Sequence, residues 1–403
     1  MIHQEEEIFM GDPSDGSGPE GRDQEISKDA MATLAGIKEK VSKAIRVRGP
    51  IEKRTDRSGL GNAHGVGIGL PAAPGGKYRL VIYVLKKMDR KEMKAALDSL
   101  LGKSIADTLE FELYVTDVQK QQQWPNLHRR PVCGSTPITP NPLGCKDDRT
   151  QPPMYVPGQV GWWPAGTMGT TLQDQQGDAW LVSCNHVLAQ NHVVGPAFNR
   201  WHDVHQPEQS ADPQAIANHI EVVPLTPWVP QTNMVNFVDV AVARIAIPDF
   251  VLRGFLNVDP NGPGGFATEA YGPSLRISPA NPPASALPVS KCGPFSGRTG
   301  GALAHVNVDV QVNGSTINSR NEFVFTSFYF VQQFTITVAP SSGYYQTING
   351  QHVECFSIPG DSGSFVFDDL RRPIGMLISG WGGTTTVTPV AALAQMVVPM
   401  LRF

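Results

Sequence analysis

The sequence predicts a mainly β protein that carries a small α+β region in its N-terminal part. From Val160 onward, short apolar or alternating runs are separated by Gly, Pro, Asn and Asp, a pattern typical of β-barrels and sandwiches. Over residues 27–118 the apolar spacing changes between helical and alternating periods. Residues 119–158, which separate these two regions, are rich in Gln and then in Pro, and they predict an extended linker or a strap.

The N-terminal region begins with an acidic tail, residues 1–26, that is rich in Gly, Ser and Pro. We predict that this tail is disordered because it has few apolar residues to bury. The apolar spacing then predicts a helix, two strands, a second helix and a third strand, which together form a small α+β domain over residues 27–118. These elements cover residues 28–46, 64–70, 78–85, 91–101 and 109–118, in that order.

The composition argues against several classes of partner and location. The 403 residues carry a formal net charge of −4, so nothing indicates a nucleic-acid partner. No run of about 18 apolar residues is present, and the N-terminus lacks the basic and apolar regions of a signal peptide. The five cysteines include no CxxC pair, which argues against a disulfide framework. We therefore predict a cytoplasmic protein without a membrane partner, in which Cys133 and Cys145 could pair but are expected to be thiols.

The segment from Ser357 to Ser364 reads Ser-Ile-Pro-Gly-Asp-Ser-Gly-Ser and contains the candidate nucleophile, Ser362. The flanking glycines permit a tight turn and leave room beside the hydroxyl. Such a turn can direct the N–H groups of Gly360 and Ser362 to one point, where an oxyanion would form. A serine hydroxyl is a weak nucleophile alone, so it needs a base, and the base needs an orienting group.

Two upstream segments supply those groups. An apolar, strand-like run over residues 179–189 contains His186, and the run 236–245 contains Asp239 at the start of an alternating strand. His186 would accept the serine proton and later return it to the leaving group, and Asp239 would hold the imidazole in one tautomer. Each residue alone has a structural explanation, as a boundary histidine, a capping aspartate or a turn serine. Their combination predicts a catalytic triad.

These segments resemble the motifs of the trypsin/chymotrypsin-like serine peptidases, in the order His, Asp, Ser. Cys-Asn-His-Val-Leu, Asp-Val-Ala-Val-Ala and Gly-Asp-Ser-Gly are similar to the three catalytic motifs of that family. Lys-Cys-Gly at 291–293, followed by Gly-Arg-Thr-Gly-Gly at 297–301, resembles a segment of bacterial members. The resemblance covers roughly residues 155–403. It implies that residues 159–403 form a peptidase domain of two six-stranded Greek-key β-barrels, with the site in the cleft between them.

The resemblance also implies that Asp361 is buried and needs a cation to hold the oxyanion turn. An unpaired buried carboxylate would cost several kcal/mol, so that a partner is expected. We assign that structural role to Lys291, and Arg298 is the second candidate.

By the same resemblance, two segments would form the primary substrate pocket. The position that is acidic in enzymes cleaving after Lys or Arg is Phe356 or its neighbour, and neither is acidic here. We therefore expect no strong preference for basic side chains, and a preference for small or apolar ones. The predicted pocket residues are Phe356, Ser357, Ile378, Ser379 and Gly380.

The predicted function is that of a serine endopeptidase that acts on protein or peptide substrates through an acyl-enzyme, without a cofactor or a metal ion. His202 and His205 could bind a metal ion, but no third ligand follows at a suitable spacing. The N-terminal domain is predicted to regulate activity through inhibition, a protein partner or self-association. Two alternatives stay open: a protease-fold binding or scaffold protein without turnover, and an esterase that uses the same triad.

Overall fold

The structure, a computed structural model, is mainly β, as the sequence predicts. It describes residues 19–116, 118–120, 132–134, 137–142, 166–189, 201–205, 215–246, 251–258, 266–269, 272–278, 281–294, 296–317, 323–340, 344–348, 351–381 and 383–401. No helix among these residues is long and apolar enough to cross a membrane.

The secondary-structure elements have the following bounds. The α-helices are α1 (Pro19–Val47), α2 (Arg90–Leu101), α3 (Lys103–Thr108), α4 (Asn185–Leu188) and α5 (Val390–Leu401), and short 3-10 helices cover Ile51–Lys53 and Gly59–Asn62. The strands are β1 (Ala63–Gly69), β2 (Arg79–Val84), β3 (Phe111–Val115), β4 (Gln119–Lys120), β5 (Val132–Gly134), β6 (Pro137–Pro142), β7 (Gly166–Thr167), β8 (Thr170–Gln173), β9 (Ala179–Ser183), β10 (Trp201–His205), β11 (Ala217–Val222), β12 (Ala241–Ile245), β13 (Val251–Val258), β14 (Phe266–Glu269), β15 (Leu287–Gly293), β16 (Gly297–Ile317), β17 (Phe323–Val338), β18 (Tyr344–Ile348), β19 (Gln351–Cys355), β20 (Phe365–Phe367), β21 (Pro373–Trp381) and β22 (Thr384–Pro389).

Six strands of the second half close into a barrel. Their order is β15-β20-β21-β22-β17-β16. β16 pairs with β15 as well, with Thr299 opposite Lys291, and this pairing closes the ring. β17 is separated from β20 in the sheet by β22 and β21, which gives the strand order of a Greek key.

The first half contains a seven-stranded sheet with the order β7-β6-β10-β11-β12-β9-β8. Its two end strands, β7 and β8, are separated along the chain only by Met168 and Gly169, so that the sheet returns to its starting point. The Gly169 N–H donates to Val182 O on β9, so that the hydrogen bonds between β8 and β9 extend into the two-residue gap between β7 and β8. The strand pairing therefore confirms a double Greek-key barrel, although the first sheet has seven strands where the resemblance implied six.

The N-terminal region has the predicted order of elements, but its first helix is longer than predicted. α1 begins at Pro19, whereas the sequence predicted a start near residue 28 and disorder over residues 1–26. Proline is favoured at the first position of a helix because the N–H that it lacks has no partner there in any case. Residues 19–26 are therefore helical, which corrects that part of the prediction. The rest of the predicted tail lies outside the described residues.

The predicted α+β domain does not form a sheet of its own. β1 pairs antiparallel with the part of β16 that extends beyond the barrel, with Gly65 opposite Val310, and β2 and β3 continue the sheet outward. β16 is 21 residues long, so that one part of it pairs within the barrel and another part pairs with β1. A Cβ atom at Gly67 would lie 2.7 Å from the Val308 side chain, so glycine is what permits this close approach. The N-terminal region is thus continuous with the second barrel.

A buried ion pair fixes α1 to the same hairpin. Lys38 pairs with Asp309 on β16, and the Ser42 hydroxyl donates to the second oxygen of that carboxylate. Lys38 Nζ also donates to Asn307 Oδ1 at 3.2 Å, and the Gln332 N–H donates to Asp309 Oδ1 at 3.0 Å. The side chains of the pair are 3% and 0% exposed. Because an unpaired charge is costly at such burial, the pair holds α1 in place.

The region 119–158 is more than a linker, which corrects the prediction. β4 pairs parallel with β16, β5 pairs parallel with β13, and β6 lies in the first barrel between β7 and β10. The prolines of β6 concealed this strand in the sequence because proline lacks an N–H donor and is rare inside sheets. The possible pairing of Cys133 with Cys145 stays a prediction, because Cys145 lies outside the described residues. The cysteines whose side chains are described, Cys184, Cys292 and Cys355, are buried and form no disulfide.

Candidate active site

The first barrel brings His186 and Asp239 into contact. His186 lies in α4, directly after the end of β9, and Asp239 lies two residues before the start of β12. β9 and β12 are antiparallel neighbours, with Ser183 opposite Ala241, so that the ends that carry the two side chains are adjacent. His186 Nδ1 lies 2.6 Å from Asp239 Oδ2, and the His186 backbone N–H donates to Asp239 Oδ1 at 3.1 Å.

This geometry determines the tautomer of the imidazole. The His186 and Asp239 side chains are 1% and 0% exposed, so that the pair is shielded from water. When Nδ1–H donates to the carboxylate, Nε2 is the nitrogen that carries the lone pair in the neutral ring. The second hydrogen bond, from the backbone, prevents the carboxylate from rotating away. The pair therefore has the arrangement of a general base with its orienting group.

The segment that precedes Ser362 forms a tight turn. The Asp361 N–H donates to Ile358 O at 3.1 Å, with Pro359 and Gly360 between them. Gly360 adopts a left-handed φ of 93°. Proline at the second position and left-handed glycine at the third are the pattern of a type II β-turn, which only glycine or asparagine readily completes.

The backbone hydrogen bonds of this turn distinguish two N–H groups from the others. The Asp361, Gly363 and Ser364 N–H groups donate to Ile358 O, Leu377 O and Asp361 O. Within the described part of the chain, the Gly360 and Ser362 N–H groups donate to no protein acceptor, although both residues are buried. Buried N–H groups are rarely left without an acceptor, so this pair is suited to receive one from a ligand. These are the two N–H groups that the sequence predicts as donors of an oxyanion hole.

The Asp361 carboxylate is held by a cation and by neutral donors from Ser296 and Ile358, including the Ser296 N–H, which donates to Oδ1 at 3.4 Å. Lys291 Nζ lies 2.9 Å from Asp361 Oδ2, and both side chains are 0% exposed. The Ser296 hydroxyl donates to the same oxygen at 2.6 Å, and the Ile358 N–H donates to it at 3.0 Å. Arg298, the second candidate, is exposed, so that Lys291 is the cation beside this carboxylate. Ser296 was not found from the sequence, because a loop serine carries no pattern that would single it out.

The segments that carry His186 and Ser362 meet where the barrels touch. Cys184, two residues before His186, donates from Sγ to Leu377 O at 3.2 Å. The same carbonyl accepts the Gly363 N–H at 2.8 Å. The Ser362 hydroxyl lies 3.4 Å from Ile378 O, a long contact that costs little to break. A residue two positions before the base and the residue that follows the nucleophile thus share one acceptor.

The thiol of Cys184 also lies close to the His186–Asp239 pair. One ligand atom from each of the three residues lies within 4.8 Å of the others, a spacing that a metal ion could bridge. Burial, and secondly the charge of Asp239, raise the pKa of the Cys184 thiol well above its usual value. Metal binding requires the thiolate, and Asp239 is already bonded to the imidazole. The group therefore fits a buried packing thiol beside a histidine–carboxylate pair better than it fits a metal site.

The predicted pocket residues do not all lie on one wall. The Phe356 side chain is 0% exposed, and Lys291 Nζ lies 5.8 Å from the centre of its ring, so the ring belongs to the core and does not line a pocket. Ser357 and Gly380 do face each other, since a Cβ atom at Gly380 would lie 2.2 Å from Ser357 Oγ. Ser357 Oγ is also hydrogen-bonded to Thr385 Oγ1 at 2.7 Å. Ile378 and Ser379, the other two predicted residues, are buried.

Comparisons with known proteins return matches only among solved structures, at low identity and low TM-score. No protein-family model matches the sequence, and no curated protein is similar to it at a significant level. A Nocardiopsis protease (NAPase) is 13% identical, with a TM-score of 0.31, and the match covers 57% of this chain and 89% of that chain. The active form of the Rv3671c protease from M. tuberculosis is 14% identical, with a TM-score of 0.29, and the match covers 73% of this chain and 94% of that chain. TM-scores this low carry no argument about activity, so the fold assignment rests on the strand pairing.

Proposed function

We propose that the chain is a serine endopeptidase in which Ser362 attacks a peptide carbonyl and forms an acyl-enzyme. The observation that carries this proposal is the buried His186–Asp239 pair, with 2.6 Å between Nδ1 and Oδ2. Acyl transfer by serine requires a nucleophile, a base and a group that orients the base. A Gly-Asp-Ser-Gly turn at the boundary next to this pair would supply the nucleophile.

In the proposed mechanism, His186 Nε2 takes the proton of Ser362 Oγ as the bond to the carbonyl carbon forms. The negative charge that develops on the carbonyl oxygen is bound by the Gly360 and Ser362 N–H groups. His186 then gives its proton to the leaving amine, and a water molecule hydrolyses the acyl-enzyme through the same base. Asp239 stabilises the imidazolium throughout and does not accept the proton.

Lys291 would supply the positive charge that keeps the oxyanion turn in place. Its pairing with Asp361 supports this role, because the same carboxylate accepts the Ile358 N–H at the start of the turn. A turn that is anchored within the chain would need no newly formed N-terminus to complete it.

The proposed substrates are proteins or peptides with small side chains at the cleavage position. The contact between Ser357 and Gly380 supports this preference, because it leaves little width between the two segments. Regulation by residues 27–118 stays a prediction. Any such regulation would have to act through a region that shares a sheet with the second barrel.

Reaction with an alkyl fluorophosphonate tests the proposed function. We expect the wild type to be labelled covalently and Ser362→Ala to show no labelling. Ser364→Ala is the matched control, since it removes a second buried serine hydroxyl two residues along the chain. Parallel assays with casein-derived peptides and with p-nitrophenyl esters then separate a peptidase from an esterase. A wild type that is never labelled and cleaves neither class would contradict the proposal and favour a binding protein.

A further inference from the structure

Thr167 is one of the residues at which the two barrels meet beside Ser362. It ends β7 in the first barrel, and its side chain is 0% exposed. The Thr167 N–H donates to Ser362 O at 2.8 Å, and its hydroxyl donates to Gly360 O at 2.7 Å. Its own carbonyl accepts the Ser183 hydroxyl at 2.7 Å. Because Ser183 ends β9, three residues before His186, Thr167 contacts both the segment of the base and the turn of the nucleophile.

We propose that Thr167 is a positioning residue whose hydroxyl aligns the Ser362 turn with the His186–Asp239 pair. This inference deepens the proposed peptidase function and rests on it. The backbone hydrogen bond to Ser362 O could be made by any residue except proline, so the inference concerns the hydroxyl. Serine and threonine are the residue types that combine this N–H with a hydroxyl on the first side-chain carbon.

The hydroxyl acts on the peptide group that lies between the two candidate oxyanion donors. The Gly360–Asp361 peptide is bonded at its N–H by Ile358 O, at 3.1 Å. Among the described residues, its carbonyl is bonded by Thr167 Oγ1 alone. This peptide lies between the two peptides that carry the donor N–H groups of Gly360 and Ser362, so its orientation influences both. Without the hydroxyl, Gly360 O would be a buried acceptor with no donor, which favours rearrangement of the turn.

Close backbone packing transmits the position of Thr167 to the turn. A Cβ atom at Gly363 would lie 2.1 Å from Thr167 O and 2.5 Å from Ser183 Oγ. A Cβ atom at Gly169 would lie 2.5 Å from Gly363 O. The two backbones are therefore too close for a side chain to lie between them. A shift of Thr167 would be passed directly to the residue that follows the nucleophile.

The test compares two substitutions at this position with a control elsewhere. Thr167→Val keeps the shape and removes the hydroxyl, whereas Thr167→Ser keeps the hydroxyl. Thr388→Val is the control, because Thr388 is equally buried and its hydroxyl donates to Gln333 Oε1 at 2.8 Å within the second barrel. Each protein is reacted with an alkyl fluorophosphonate, and the maximal inactivation rate constant is separated from the concentration for half-maximal rate.

We expect Thr167→Val to lower the maximal rate constant about tenfold, as the loss of a buried hydrogen bond implies, with the half-maximal concentration changed less than about twofold. The maximal rate constant of Thr167→Ser should stay within about threefold of the wild-type value. Thr388→Val should have the wild-type rate constant but a lower melting temperature than the wild type. If the Thr167 hydroxyl had a purely structural role, both valine variants would lose stability and neither would have a lower maximal rate constant. An unchanged rate constant in Thr167→Val, or an equal loss in Thr167→Ser, would overturn the inference.

A second measurement does not depend on activity. Amide hydrogen exchange of a peptide that spans residues 356–366 should be faster in Thr167→Val than in Thr388→Val, since the turn loses one of its bonds to the first barrel. Unchanged exchange would refute the positioning role even in a protein that reacts with no probe. A wild type that is not labelled would contradict the proposed function alone, so the two failures are distinguishable.

Discussion

Replacement of Lys291 by methionine is expected to lower stability and slow the reaction of Ser362 together. Lys291 Nζ lies 2.9 Å from Asp361 Oδ2, and both side chains are 0% exposed. Methionine keeps much of the volume of lysine but removes the charge, so that Asp361 would stay buried without a cation. Removal of one partner from a buried ion pair typically costs about 3–5 kcal/mol.

The remaining contacts of Asp361 place the expected loss at the lower end of that range, about 3 kcal/mol. Ser296 Oγ and the Ile358 N–H donate to the carboxylate at 2.6 and 3.0 Å and would still share its charge. They add no full positive charge, so that most of the destabilisation remains. Because the Ile358 bond belongs to the oxyanion turn, we also expect at least about tenfold slower reaction with an alkyl fluorophosphonate.

Urea unfolding gives the free energy of unfolding of each variant, and the probe gives the rate constant. Asp361→Asn in the Lys291→Met background removes the unpaired charge. It should restore about 2 kcal/mol of the free energy of unfolding, but it should not restore the rate constant for reaction with the probe. Lys87→Met, at an exposed lysine, is the control and should stay within about 0.5 kcal/mol of the wild type. A Lys291→Met protein with the stability and the rate constant of the wild type would refute the assignment.

Two further predictions concern the attachment of the N-terminal region. Lys38→Met should reduce the free energy of unfolding by about 3–5 kcal/mol, because it leaves the carboxylate of Asp309, which is 0% exposed, without its cation. Lys40→Met, on the exposed face of the same helix, is the control and should change the free energy of unfolding by less than about 0.5 kcal/mol. Equal urea midpoints for the two variants would contradict the docking of α1. Burial lowers the pKa of His305 from 6.5 to about 4, so the unfolded chain binds a proton between these values that the folded protein does not. The contribution of the neutral His305 to the free energy of unfolding should therefore be fully present above pH 6.5. The free energy of unfolding should fall by up to about 3 kcal/mol as the pH drops towards 4. His305→Gln should flatten the dependence of the urea midpoint on pH in this window, and an unchanged slope would argue against the buried neutral imidazole.

Short motifs were sufficient to single out the candidate site residues. His186, Asp239 and Ser362 each lie in a local pattern of a few residues, and Lys291 lies in a fourth. A local pattern records which residue types adjoin one another along the chain. It does not record which atoms meet after folding, and Thr167 and Ser296 were missed for that reason.

The Phe356 side chain illustrates the same limit in the opposite direction. The family resemblance placed it in the substrate pocket, at or next to the position that is acidic in enzymes cleaving after Lys or Arg. The direction of a strand-end side chain depends on the partners that surround it, and here Lys291 and the core surround the ring. Proximity in sequence to the site was therefore a poor guide to exposure.

The sequence by itself determined the type of most elements, because the period of apolar residues is set by the local geometry of helices and strands. Only the tertiary structure decided how the N-terminal region is attached. One of the two strand partners of β1 is β16, more than 200 residues away, and the contact of Lys38 with Asp309 spans 271 positions. Such pairings depend on which edges and charges remain to be satisfied once the barrel has formed, and no local period encodes that.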